Sequence, residues 1–241
     1  MSSLAFDQFL FKETPGQKPR LIKITEQVRS VARSKDPQST FCGESAADLE
    51  LENAVLDYTW NWVDYVDAGP IVSVLRSPRL NCNIEDSALA TKRCFLEGLY
   101  LNVMPSEPDE PNGTALIRER PLLAKALKTV ARLRKQFLPY FVEGNALGES
   151  VLSRAAPAFI RAYQLRDRLL VFALNDRPEV QHVALNVDLR VWSPKSNSFR
   201  VKYFNEAGRL VRNSNMATTR WLAVTELLQP EEIAAFELLP E

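Results

Sequence analysis

The periodicity of this chain changes near Ser150, and that change limits the folds open to it more than any other feature. Before it, apolar runs of strand length alternate with stretches whose apolar residues recur every three or four positions. After it, β-branched and aromatic runs follow one another with only turn signals between them. Alternating strand and helix requires a parallel sheet with crossover helices, whereas closely spaced strands joined by turns indicate an antiparallel sandwich. The expectation is an α/β unit over residues 1–145 and an all-β unit over residues 154–241, divided at about 145 to 154.

The first unit opens on Ser3-Leu4-Ala5-Phe6-Asp7-Gln8-Phe9, a short strand ending near a carboxylate. Leu21, Ile24, Val28 and Val31 recur at helical spacing between Pro19 and Lys35, and Asp36-Pro37 stops that helix. A strand over 39–44 and a helix over 46–55 follow. Residues 56–63 alternate, with Tyr58, Trp60 and Trp62 on one side, and Ile71 to Leu75 is another strand-length run leading into a polar loop with Arg76, Arg79, Asn81 and Asn83. A helix over 87–98, a strand over 99–104, a long loop, and a helix from Pro121 to near Gly144 complete the unit. Together these read as the second half of a (β/α)8 barrel, about strands four to eight. Without the first half, the strands at 3–9 and 99–104 are expected to be open edges that favour pairing.

In the second unit the runs 159–165, 168–175, 183–192, 199–204 and 221–224 are separated by Asn175-Asp176-Arg177-Pro178, Ser193-Pro194 and Ala207-Gly208. This spacing predicts antiparallel strands.

Charge excludes one class of partner. Thirty basic and thirty acidic residues leave no net charge, so the electrostatic footprint of a nucleic-acid binder is missing. The stretch from Arg118 to Lys135 is basic, and it reads as the charged outer face of a helix. Cys42, Cys82 and Cys94 show no CxxC spacing and are expected to be buried small hydrophobes. His182 has no second histidine for a metal and no nucleophile motif beside it, so neither a metal site nor a Ser-His-Asp hydrolase is expected. No segment reaches bilayer length and no basic-then-apolar leader is present, so a soluble chain without membrane contact is expected.

Strands of a (β/α)8 barrel present their chemistry at their carboxyl ends. Asp7 and Glu44 fall at two consecutive ends of this kind. Glycosidic bond cleavage needs one carboxylic acid to protonate the leaving oxygen and one carboxylate to attack the sugar carbon, with the two about 5–5.5 Å apart for retention. The expected roles are Asp7 as nucleophile and Glu44 as acid and base. Trp60 and Trp62 offer aromatic faces to sugar rings, Arg76, Arg79 and Asn81 offer forked and amide donors to hydroxyls, and Asp64 is a spare acid near the same mouth.

The segments Phe6-Asp7-Gln8, Phe41-Cys42-Gly43-Glu44, Thr59-Trp60-Asn61-Trp62, Phe95 to Asn102 and Leu133 to Phe141 resemble the C-terminal part of large bacterial glycoside-hydrolase-like proteins. Those proteins have a TIM barrel followed by a β-sandwich, and Leu228 to Leu238 is similar to the closing strand of that sandwich. In α-amylase-like barrels the nucleophile ends strand four and the acid ends strand five, which matches Asp7 and Glu44. In α-galactosidase-like barrels the acid ends strand six, where Asp64 stands. The resemblance implies a carbohydrate ligand, and no cofactor or metal is expected. The open edges imply a complementary half-barrel chain or self-association, and a non-catalytic carbohydrate-binding module or inert fragment is the alternative.

Overall fold

The computed structural model describes residues 3–6, 18–44, 58–60, 81–84, 87–103, 106–107, 110–114, 116–154, 156–218 and 220–241. The helix expected over 46–55 and the strand over 71–75 lie outside them.

The described part of the first unit is built on parallel pairing. Strand β1 (Ser3–Phe6) pairs with β2 (Thr40–Glu44), and β2 with β3 (Tyr58–Trp60), both parallel. Helix α1 (Lys18–Lys35) connects β1 to β2. It stops where the Asp36 carboxylate accepts from the Gln38 amide at 3.0 Å, a local turn that competes with further helix. The stripe that marks α1 as amphipathic does not become core: Ile24, Val28 and Val31 are 39–60% exposed, and Thr25 is the buried residue of that turn.

Strand β4 (Asn81–Ile84) pairs in parallel with β5 (Tyr100–Val103), with helix α2 (Ala88–Leu96) between them. The segment holding Asn81 and Asn83 is thus a strand rather than the polar loop expected from its asparagines. Ser87 caps α2, its hydroxyl accepting from the Ala90 amide at 3.0 Å. Gly98, at φ +79°, turns the chain out of the helix, with its amide on Phe95 and the Leu99 amide on Cys94. Cys94 is fully buried, as expected of a small hydrophobe, but it is also disulfide-bonded, which the cysteine spacing did not indicate. The long loop after β5 contains two short antiparallel strands, β6 (Ser106–Glu107) and β7 (Glu110–Thr114).

The helix expected from Pro121 to Gly144 is two helices, α3 (Pro121–Gln136) and α4 (Leu138–Val142), broken at Phe137. Pro139 explains the break, since it has no amide to continue the α3 ladder and its ring opposes the preceding turn.

From residue 145 onward the sheets are antiparallel. Strands β8 (Asn145–Ala146), β9 (Phe159–Leu165), β10 (Arg168–Leu174), β11 (Gln181–Asp188), β12 (Ser198–Phe204), β13 (Leu210–Ala217), β14 (Trp221–Leu228) and β15 (Ile233–Pro240) form two sheets. One is six-stranded in the order β13-β12-β15-β10-β9-β8, the other is the pair β11-β14. The run expected to be strand through Trp192 ends instead in a short helix α5 (Leu189–Trp192), capped by the Asp188 side chain.

Strand β10 explains the architecture. Its six residues Leu169 to Leu174 are all fully buried. Leu169, Val171 and Ala173 pack into the core shared with β11 and β14, among Val183, Leu185, Leu222 and Val224. Leu170, Phe172 and Leu174 face the other way, onto Phe95 and Leu96 of α2, Val130 and Leu133 of α3, and Tyr140 of α4. A strand covered on both faces needs a continuous apolar run rather than alternation. The helices at the end of the first unit therefore form the outer layer of the six-stranded sheet.

Candidate functional site

The backbone register bears on the paired carboxylates expected from the sequence. Glu44 is the last residue of β2 and is the register partner of Trp60, the last residue of β3. Phe6, the last residue of β1, is the partner of Gly43. The carboxyl ends of three parallel strands therefore lie along one edge, with Glu44 and Trp60 side by side on it. Asp7, Trp62, Asp64, Arg76 and Arg79 lie outside the described residues. Asn81 does not end a strand: it is the first residue of β4, opposite Tyr100, so it stands at the amino end. The sequence reading missed this because Cys82 and Ile84 alone supply the apolar alternation of β4.

A second polar constellation, absent from the sequence reading, sits between α2 and the six-stranded sheet. Arg161 on β9 donates through Nε to Glu97 Oε2 at 2.7 Å and through Nη2 to Glu97 Oε1. Its guanidinium lies 4.1 Å from the centre of the Phe159 ring. The Tyr163 hydroxyl donates to the Leu96 carbonyl at 2.5 Å, and burial, reinforced by the negative charge of Glu97, pushes this phenol well above its ordinary range. Arg93 pairs with Asp176 at 2.5 Å, and Lys92 reaches the Glu231 carbonyl at 2.5 Å and the Glu206 carboxylate at 2.7 Å. Tyr140 on α4 donates to Glu237 of β15 at 3.1 Å, and its phenol is likewise pushed up, by burial first and then by Glu237. These contacts tie helices to sheet. They hold no nucleophile beside a general base, and among the described residues no group of three or more His, Cys, Asp or Glu is placed to hold a metal.

His182, exposed on β11, faces Leu227 across the strand pair. No helix among the described residues is long and apolar enough to cross a membrane.

Comparison with known proteins adds the fold class. No family model and no curated protein matches the chain. Solved structures do match. An α-amylase from Geobacillus thermoleovorans, in complex with acarbose, superposes with a TM-score of 0.62 at 14% identity, over 91% of this chain and 57% of that one. A debranching enzyme from Nostoc punctiforme gives 0.57 at 15% identity, over 98% and 58%. A β-L-arabinopyranosidase from Geobacillus stearothermophilus, in complex with arabinose, gives 0.58 at 12% identity, over 100% and 59%. The fold is that of glycoside hydrolases. The chain spans less than two thirds of the length of each of these structures.

Proposed function

We propose that the chain is a glycoside hydrolase, or the catalytic fragment of one, that cleaves O-glycosidic bonds with two carboxylates. In this reading residues 1–145 are the C-terminal half of a (β/α)8 barrel and residues 154–241 its sandwich. The observation that carries it is the shared edge: Glu44 ends β2 beside Trp60, and Asp7 follows directly on Phe6, whose register partner precedes Glu44.

On that edge Asp7 attacks the anomeric carbon while Glu44 protonates the departing oxygen. Glu44 then takes a proton from the water that releases the sugar. Trp60 and Trp62 stack on sugar rings, Arg76 and Arg79 bind hydroxyls, and Asp64 is the substitute acid if Glu44 is not the donor. Asn81, at the amino end of β4, is left out of this pocket.

A second reading is a carbohydrate-binding or assembly module in which the acids are incidental; two of the matched structures are complexes with acarbose and with arabinose. In both readings carbohydrate is the ligand, and a complementary half-barrel or a second copy of the chain is the protein partner.

The test is turnover of a panel of α- and β-linked aryl glycosides, by the chain alone and with a complementary half-barrel supplied. Asp7→Asn is expected to abolish turnover, since an amide cannot serve as the attacking carboxylate. Glu44→Gln should spare substrates with good leaving groups, which need little protonation. Full activity in Asp7→Asn would overturn the assignment. Silence of the completed wild type toward every substrate, with sugar binding retained, would establish the binding module instead.

A further inference from the structure

A cleft of about 610 Å3 opens between α3 and the turn that joins β12 to β13. Its helical wall carries Lys125, Lys128 and Arg132, and Arg118 from the short 3-10 turn before α3 stands at one end. Its opposite wall is the turn at Glu206 and Ala207. This turn is held from within: the Asn205 side chain accepts from the amides of Ala207 at 3.1 Å and Arg209 at 3.0 Å, and the Gly208 amide donates to the Asn205 carbonyl at 2.8 Å. Arg132 reaches across to the Ala207 carbonyl at 3.4 Å. The volume suits a small molecule.

The charge in this cleft is not compensated. Among the described residues no carboxylate pairs with Lys125 or Lys128, and Arg118 has only Glu119, at 4.0 Å. The carboxylate that does line the cleft, Glu206, is engaged by Lys92 at 2.7 Å. Because the whole chain carries no net charge, four cations around one cleft are a local concentration and not a general surface property. An ordinary solvated helix face has no second wall, and here the Asn205-locked turn supplies one.

We propose that this cleft binds a small ligand bearing two or more phosphoryl groups. Lys125 and Arg132 are seven residues apart on α3, so their backbones are separated by about 10 Å along the axis. That separation places one phosphoryl group toward each end with Lys128 between them, and the stems of the cations together with Pro121 and Ala124 cover the ligand's uncharged part. The same chemistry is offered by a phosphorylated sugar and by a free oligophosphate. The site is independent of the two-carboxylate reading.

Titration calorimetry on the whole chain at low salt tests it, with fructose 1,6-bisphosphate, tripolyphosphate and glucose as the probes. Saturable one-to-one binding is expected for at least one of the anions and none for glucose. Tighter binding of the bisphosphate assigns a phosphorylated sugar, and tighter binding of tripolyphosphate assigns an oligophosphate. The pair Lys125→Glu and Lys128→Glu should weaken binding by about tenfold or more, while Arg154→Glu with Lys195→Glu, two exposed cations outside the cleft, should leave it unchanged. Arg132→Gln, a milder change, should weaken it in the same direction and serves if the charge-reversed pair does not fold. No saturable binding of either anion, or equal loss in the two double variants, would overturn the proposal.

Discussion

Glu97 and Arg161 form a two-point ion pair that joins the end of α2 to β9, with the carboxylate side chain 2% exposed and the guanidinium 15%. Removal of either partner leaves a charge with no comparable solvation.

Arg161→Ala is therefore expected to destabilise the fold by about 3–5 kcal/mol, the range for an orphaned buried charge. Glu149→Ala removes only the longer 3.4 Å contact to the same guanidinium, from a half-exposed side chain, and should cost less than about 1 kcal/mol. Urea unfolding of the two variants checks the contrast, and equal losses would show that burial of Glu97 is not what sets the effect.

Phe172 sits where rings from three helical and sheet elements meet, with Phe95 at 5.3 Å, Phe137 at 5.7 Å and Phe141 at 5.8 Å between centroids. Phe172→Ala should cost about 3–5 kcal/mol, and Phe172→Leu clearly less. Calorimetric melting of both variants provides the comparison.

A methyl group at Gly98 faces two obstacles. The residue adopts φ +79°, and an added Cβ would lie 2.9 Å from the Tyr163 hydroxyl. Gly98→Ala is expected to lose about 1–2 kcal/mol from the backbone conformation alone, plus the displacement of Tyr163 from the Leu96 carbonyl. Since that clash is with the hydroxyl, the double variant with Tyr163→Phe should lose less than the sum of the single changes. Strict additivity in denaturant unfolding would contradict the contact.

Acid should weaken the cap of α5 in a defined window. The hydrogen bond from the Arg190 side chain holds the Asp188 carboxyl at about 2, below its ordinary 3.8. A depressed folded-state value gives stability that is present above the unfolded value and lost as pH falls through the folded one. The loss thus belongs between about pH 4 and pH 2, and Asp188→Asn should flatten the pH dependence of the unfolding midpoint there. An unchanged slope in the variant would reject the linkage.

Most sandwich strands were legible because their composition is dictated by packing, whereas β13 (Leu210–Ala217), exposed along most of its length, was not, since no core face selects its residues. The uninterrupted apolar run of β10 is what burial on both faces demands, although the sequence alone does not say that helices supply one of the covers. The α3–α4 break was also written in the chain, at Pro139, but the apolar stripe running through Phe137 obscured it. Strand β4 was hidden for the opposite reason: asparagines at two of its four positions mimic a loop, and pairing to β5 overrides that local preference. For the candidate site, the sequence suggested Glu44 as a strand end, and β2 ends there. Trp60 reads from the sequence as the middle of a strand over 56–63, and its register beside Glu44 depends on pairing that no local pattern encodes. The Glu97–Arg161 pair was invisible, because its partners are 64 positions apart and nothing local marks a residue for so distant a neighbour.

The double-sided burial of β10 also governs how this polypeptide can be cut. Although the periodicity shift near Ser150 invites excision there, a piece beginning at that point would carry Leu170, Phe172, Leu174 and Ala235 into water on the side that α2, α3 and α4 now shield. Such a piece would aggregate or recruit a substitute cover. A transplantable module would instead have to begin before Ser87, carrying its helical roof with it.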